Sequence, residues 1–253
     1  MDLQGKTALI TGAARRIGRE IALTLAGRGV SIMIHYRQSM KDAGALKREI
    51  EAIGARAYLI DADFSVSKKM FQSVRGFVQK AFRIAPIDIL VNNAAIFYPV
   101  PFGRVGDREW DDFLTVNLKA PFFLAQEIGT RMVKRLKSAG GECAKIINLV
   151  DWTVFRPPMR FLPYAIAKAG LAAATEGLAK ALAPHVQVNS VAPGPILPAK
   201  GMTKREKRTV AGRTLLKRFG HPNDIAQTVR FLCEDTDYIT GAFIPVDGGS
   251  LLA

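Results

Sequence analysis

Thr7-Ala8-Leu9-Ile10-Thr11-Gly12-Ala13-Ala14-Arg15-Arg16-Ile17-Gly18 reads as a strand, a glycine turn and the opening of a helix. Thr7–Ile10 is a short, uninterrupted apolar and β-branched run, the pattern of a strand covered on both faces. Gly12 permits a tight turn directly after it. The helix expected over Ile17–Ala26 would then offer free backbone N–H groups and the positive end of its dipole to a pyrophosphate. A glycine pair has this meaning only at the first strand–helix turn of an alternating chain.

The rest of the chain supplies that context. Further strands are expected at Ser31–His35, Ala57–Asp61, Asp88–Asn92, Lys145–Val150, Val186–Val191 and Ala242–Val246. Helical patterns fall between them at Asp42–Ile53, Lys68–Phe82, Arg108–Leu136, Pro163–Ala183 and Asn223–Asp235. Strand–helix alternation with right-handed crossovers implies an α/β fold, a single Rossmann-type doubly wound parallel sheet with helices on both faces. One such domain spans residues 1–253, with a substrate loop at about 195–218. Ligands of such folds bind at the carboxyl ends of the strands.

Composition narrows the class. At 253 residues and 49% hydrophobic, the chain can bury a core without disulfide or metal staples. It has no apolar run long enough to cross a bilayer, so no membrane partner is expected. Met1-Asp2-Leu3-Gln4-Gly5-Lys6 lacks the pattern of a secretory signal. Cys143 and Cys233 have neither disulfide nor metal-ligand spacing, so no metal and a reducing, cytoplasmic setting are expected. The net charge of +14 invites a nucleic-acid reading, but the basic residues spread over both halves of the chain. One dense stretch, Lys200–Arg218, holds Lys200, Lys204, Arg205, Lys207, Arg208, Arg213, Lys217 and Arg218 against Glu206 alone. It reads either as a solvated helix face or as an attractor of an anionic ligand.

Residues just after the strands carry the chemistry. Ile34-His35-Tyr36-Arg37-Gln38-Ser39 has no Asp or Glu where an NAD site places one for the ribose hydroxyls. His35, Arg37 and Ser39, with Arg15 and Arg16, instead offer donors to a 2′-phosphate, which points to NADPH. Tyr164 and Lys168 lie four apart and share a helix face. The ammonium is expected to lower the phenol's pKa and make Tyr164 a general acid. Asp151 follows the fifth strand directly, as a turn cap or as a group facing substrate. Asn117 sits within the long helical stretch, where Asn is a poor helix former.

In order and spacing, these pieces resemble the short-chain dehydrogenase/reductase family over nearly the whole chain. They are Thr11–Gly18, Asp63, Asn92-Asn93-Ala94, Asn117, Tyr164 with Lys168, Val188-Asn189-Ser190-Val191-Ala192-Pro193-Gly194, and Asp247-Gly248-Gly249. Two departures are informative. Arg16 stands where the family usually has Gly, and Asp151 replaces the usual serine thirteen residues before the tyrosine. Together with Ile34-His35-Tyr36 and Phe97-Tyr98-Pro99, they resemble the pteridine reductase branch.

The resemblance implies NADPH held by Gly12, Arg15, Arg16, Ile17, Gly18, His35, Tyr36, Arg37, Ser39, Asp63, Asn93, Ala94, Tyr164, Lys168, Pro193 and Gly194. It implies a catalytic set of Asp151, Tyr164, Lys168 and Asn117, with Asn117 holding Lys168 through water. Arg16, Phe97, Asp151 and Tyr164 would bind a pterin or folate, with Phe97 stacked on one ring face. The family also implies a homotetramer paired through its long helices. Ala95 and Ile96 stand where the branch often has serines, which removes hydrogen bonds from the expected pterin frame. Two alternatives stay open: a reductase of 3-oxoacyl thioesters or other ketones, and a non-catalytic protein that senses nucleotides or binds nucleic acid.

Overall fold

The computed structural model describes residues 1–65, 69–139, 141, 143–198 and 201–253. Seven strands, β1 (Thr7–Ile10), β2 (Ser31–Tyr36), β3 (Ala57–Asp61), β4 (Ile89–Asn92), β5 (Ala144–Leu149), β6 (Val186–Pro193) and β7 (Phe243–Val246), form one sheet in the order β3-β2-β1-β4-β5-β6-β7. Every neighbouring pair is parallel. The chain winds outward from β1 in one direction and from β4 in the other. The carboxyl ends of β1 and β4 therefore flank the topological switch point, where a doubly wound sheet opens a crevice.

The apolar runs alternate sides as strands must. Ala8 and Ile10 of β1, with Ile32 and Ile34 of β2, pack into one core. Leu9 and Met33 pack into the other. The first core is closed by α1 (Arg16–Ala26), α2 (Met40–Ala52) and, near the end of the chain, a helix over Pro222–Glu234. The second is closed by α3 (Met70–Ile84) and the two long helices that follow β4 and β5. This double coverage is why the strands read as continuous rather than alternating hydrophobic runs.

Most expected elements stand within two residues of where the sequence placed them. The start expected for α3 at Lys68 lies outside the described residues, as does Lys200. The single helix expected over Arg108–Leu136 is α4 (Asp107–Leu114) and α5 (Ala120–Ala139), joined by a π-helical turn at Thr115–Lys119. Such a turn inserts a residue into the helical ladder and re-aims a side chain; here it carries Asn117. The chain then runs through α6 (Leu162–Leu182), α7 (Lys204–Gly212) inside the expected substrate loop, and α8 (Pro222–Glu234). Among the described residues, no helix is long and apolar enough to cross a membrane.

Candidate active site

A cavity of about 940 Å³ opens at the carboxyl ends of the strands. Its walls include Gly12, Arg15, Arg16, Ile17, Gly18, His35, Tyr36, Arg37, Ser39, Asp63, Asn93, Ala94, Phe97, Asp151, Tyr164, Lys168, Pro193 and Gly194. The fold thus gathers residues more than 180 positions apart in the chain (Gly12 to Gly194) around one space.

The glycine turn is tight. A Cβ on Gly12 would stand 3.0 Å from the Ala94 backbone, and one on Gly18 would stand 2.5 Å from Asn93 Nδ2. Asn93 closes the turn by donating from Nδ2 to the Thr11 and Gly12 carbonyls at 2.9 and 3.1 Å. Helix α1 begins with no side-chain cap and no acid in its first turn. Its first N–H groups therefore face the cavity uncompensated, as an anion site requires. Arg16 adopts a φ of 55°, the left-handed region that disfavours a side chain. This conformation explains why a glycine is usual there, and it directs an exposed guanidinium along the cavity wall.

His35 requires a correction. It lines the cavity, but its ring is buried and both nitrogens are engaged. Nδ1 accepts from Gly12 N at 3.1 Å, so Nε2 carries the proton and donates to the Ala62 carbonyl at 3.2 Å. Burial lowers its pKa to about 4, so the ring is neutral. His35 braces the glycine turn and has no donor to give a phosphate. Arg15 remains exposed, with its guanidinium held by Asp42 through Nε (2.7 Å) and Nη2 (2.5 Å). Arg37 stands 3.8 Å from Asp63, and Ser39 opens α2 without capping it.

At the other end of the cavity Tyr164 donates to Asp151 Oδ2 at 2.9 Å, while Asp151 Oδ1 accepts from Thr153 N at 2.8 Å. Asp151 thus caps a turn and meets the tyrosine at once; the two readings of this residue are not exclusive. Burial raises the Asp151 pKa. Burial and the Asp151 charge raise that of Tyr164 well above its ordinary value. The expectation that Lys168 would lower the phenol's pKa is overturned: the ammonium lies 5.8 Å from the ring centroid, and desolvation outweighs it. Lys168 is itself pushed down to about 8 by burial, against a smaller opposing pull from Asp151. Its ammonium donates to the Leu149 carbonyl at 2.6 Å, its one hydrogen bond among the described residues.

Asn117 makes a contact that the sequence did not show. Its amide accepts from Ile96 N at 3.0 Å and donates to Ile96 O at 3.2 Å, clamping the backbone just before Phe97. Nδ2 keeps a second hydrogen and Oδ1 a second lone pair beyond this clamp. Ile96 turns its side chain toward Val100, Phe113 and Tyr164. Phe97 is 57% exposed, and one ring face is covered by Phe161 at 4.4 Å and 4°. Phe161 was not singled out in the sequence; its signal was an aromatic one helical turn before Tyr164. Thr153, likewise missed, lines the cavity with a buried hydroxyl that has no partner among the described residues. Such an atom costs about 1–3 kcal/mol until something pairs with it. Met202, Val210 and Phe219 add an apolar wall from the segment around α7.

The donor set fits a dinucleotide carrying a 2′-phosphate: an uncapped helix start, a glycine turn with no room for a side chain, exposed arginines and a lysine short of acceptors. Comparison with known proteins agrees. The family model described as Enoyl-(Acyl carrier protein) reductase matches residues 12–250. The 3-oxoacyl-[acyl-carrier-protein] reductase FabG of Staphylococcus epidermidis is 35% identical over 248 residues, covering 96% of this chain and 98% of that protein. Its Staphylococcus aureus counterpart is 36% identical over 250 residues, covering 96% and 97%. Among solved structures, FolM alternative dihydrofolate reductase 1 from Brucella canis, complexed with NADP, superposes with a TM-score of 0.88 at 32% identity, covering 100% of this chain and 96% of that one. A blue fluorescent protein from a metagenomic library, in complex with NADPH, gives 0.85 at 32%, covering 99% of each.

Proposed function

The chain belongs to the short-chain dehydrogenase/reductase family and is an NADPH-dependent oxidoreductase, and we propose that its substrate is a pteridine-like ring, a dihydropterin or dihydrofolate. The observation that carries this reading is the Tyr164–Asp151 hydrogen bond at 2.9 Å. A ketone becomes an oxyanion on reduction and needs hydroxyl donors; an ionised carboxylate beside it would repel it. A ring nitrogen needs a proton and a polar frame, which the phenol and the carboxylate that orients it can supply.

NADPH, when bound, supplies the hydride. The turn at Gly12–Gly18 and the first N–H groups of α1 receive its pyrophosphate, and Arg15, Arg37 and Ser39 surround its 2′-phosphate. Lys168, with donors to spare, holds the nicotinamide ribose. Pro193 and Gly194 wall the nicotinamide end. Tyr164 keeps its proton in the ground state and delivers it to the ring nitrogen left negative by hydride addition; Asp151 accepts from that hydroxyl and orients it, and solvent returns the proton to the tyrosinate. Asn117 acts through Ile96 to hold Phe97, whose face not covered by Phe161 receives the flat ring. Arg16 reaches both the cofactor phosphates and the ring. Thr153 Oγ1 finds its missing partner on one of the two ligands. The exposed faces of α5 and α6, with Phe122 and Ile166, form the contact of a symmetric homotetramer.

The 3-oxoacyl thioester reading is favoured by the names of the staphylococcal relatives, and the two readings separate in one assay. NADPH oxidation is followed with 7,8-dihydrobiopterin, 7,8-dihydrofolate and a 3-oxoacyl thioester side by side. The expected result is turnover of the pteridines, reduced about 10²–10⁴-fold in Tyr164→Phe and Asp151→Asn. Turnover of the thioester alone overturns the proposal.

A further inference from the structure

We infer that helix α7 receives a negatively charged tail on the substrate, so that the favoured substrate is a pteridine ring carrying an oligocarboxylate rather than a bare ring. This rests on the pteridine reading above. Three observations support it. First, the segment around α7 is part of the cavity wall, through Met202, Val210 and Phe219. Lys207 lies three residues before Val210 and so shares its side of the helix, one turn nearer the N-terminus. Second, Lys204, Arg205, Lys207, Arg208 and Arg213 form no ion pair among the described residues. The single acid of α7, Glu206, is spent on its own helix start, accepting from the backbone N–H and the hydroxyl of Thr203, each at 2.8 Å. Two other arginines on the cavity rim differ: Arg15 is paired with Asp42 and Arg37 with Asp63, while Arg16, at the glycine turn, has no ion pair among the described residues.

Third, apart from its capping box at Thr203 and Glu206, little holds α7 in place. No residue of it is buried. Its cations meet at like-charge spacings, Lys204 with Lys207 and Arg208, and Arg205 with Arg208, where they repel. A chain of carboxylates laid along that face removes the repulsion and orders the cavity wall behind the bound ring. The basic face is small. Nine residues span about 13 Å of helix, whereas a stable protein partner needs on the order of 800 Å² on each side. The patch therefore suits a flexible oligocarboxylate running out of the cavity better than an acidic carrier protein.

The test measures NADPH oxidation by the full chain with 7,8-dihydrobiopterin, which has no carboxylate, 7,8-dihydrofolate, and its triglutamyl form. The expected result is a KM about tenfold lower for the triglutamate than for dihydrobiopterin, an advantage that shrinks as salt is raised. Lys204→Gln/Lys207→Gln/Arg208→Gln should erase that advantage while leaving dihydrobiopterin turnover and the circular-dichroism spectrum unchanged, and the all-arginine version should restore it. Equal KM values along the series, or a triple variant without effect on them, overturn the inference and leave the pteridine reading standing. Failure to turn over any of the three overturns both. Turnover of a 3-oxoacyl thioester only when it is carried on an acidic protein, lost in the triple variant, assigns the patch to a carrier instead.

Discussion

Among the described residues two lysines are buried, one near each end of the sheet, and they are held in different ways. Lys145, at the start of β5, has a fully buried side chain. Its ammonium reaches Gln187 Oε1 (2.5 Å), the Thr236 carbonyl (2.8 Å) and Asp237 Oδ1 (2.6 Å). The bond from Lys145 leads the effects that bring Asp237 down to about 2. Lys168, beside the carboxyl ends, has one neutral acceptor, and burial brings it down to about 8. A buried charge surrounded by partners serves the fold; one with donors left over is poised for a ligand. The same holds for polar groups without charge: Thr153 Oγ1, at the open end of the sheet where the cavity lies, has no partner among the described residues.

Replacing the lysines one at a time tests this contrast most severely. Lys168→Met should lower kcat/KM about a hundredfold, the scale of one lost transition-state contact, without lowering the urea midpoint, because it removes an under-paired buried charge. Lys145→Met should do the reverse: a stability loss of about 2 kcal/mol in urea unfolding, from acceptors left unpaired, with kcat retained. If both variants lose stability equally and keep activity, the contrast fails.

Acidity sharpens it further. The unfolded chain binds the Lys168 proton more tightly than the folded one between about pH 8 and the ordinary 10.5, so this group makes stability rise with pH across that window. In the folded chain the ammonium that meets the ribose is lost as pH passes about 8. NADPH affinity, read by fluorescence titration, should therefore fall as pH rises through about 8. Asp151 opposes the downward shift of Lys168, so Asp151→Asn should move that midpoint to lower pH. A midpoint that stays put would show that Asp151 carries no charge felt by Lys168.

The smallest expected effect is at the glycine turn. Arg16→Gly relieves the left-handed backbone at φ 55°. Chemical unfolding should show a gain of about 0.5 kcal/mol, the conformational relief less the added freedom of the unfolded chain. Affinity for substrate and cofactor should weaken in the same variant, because the guanidinium is gone. A loss of stability would mean that Arg16 contributes to the fold rather than to ligand binding.

Residue order alone determined the layered fold and its cavity. The alternation of apolar strands such as Thr7–Ile10 with helical patterns implies a doubly wound sheet, and the winding places Gly12, Asp63, Asn93, Asp151 and Gly194 at one edge. These features depend on period and chain order, both carried locally by the sequence. Tertiary structure alone decided what each polar group does there. His35 resembled a phosphate donor, yet its hydrogen bonds go to Gly12 and Ala62, and Asn117 clamps Ile96, in each case backbone brought close by packing. Tyr164 was expected to titrate low because Lys168 is near, yet burial beside Asp151 sends it up. A hydrogen bond and a desolvation cost depend on the neighbours that folding supplies from distant parts of the chain, so no local pattern states them in advance.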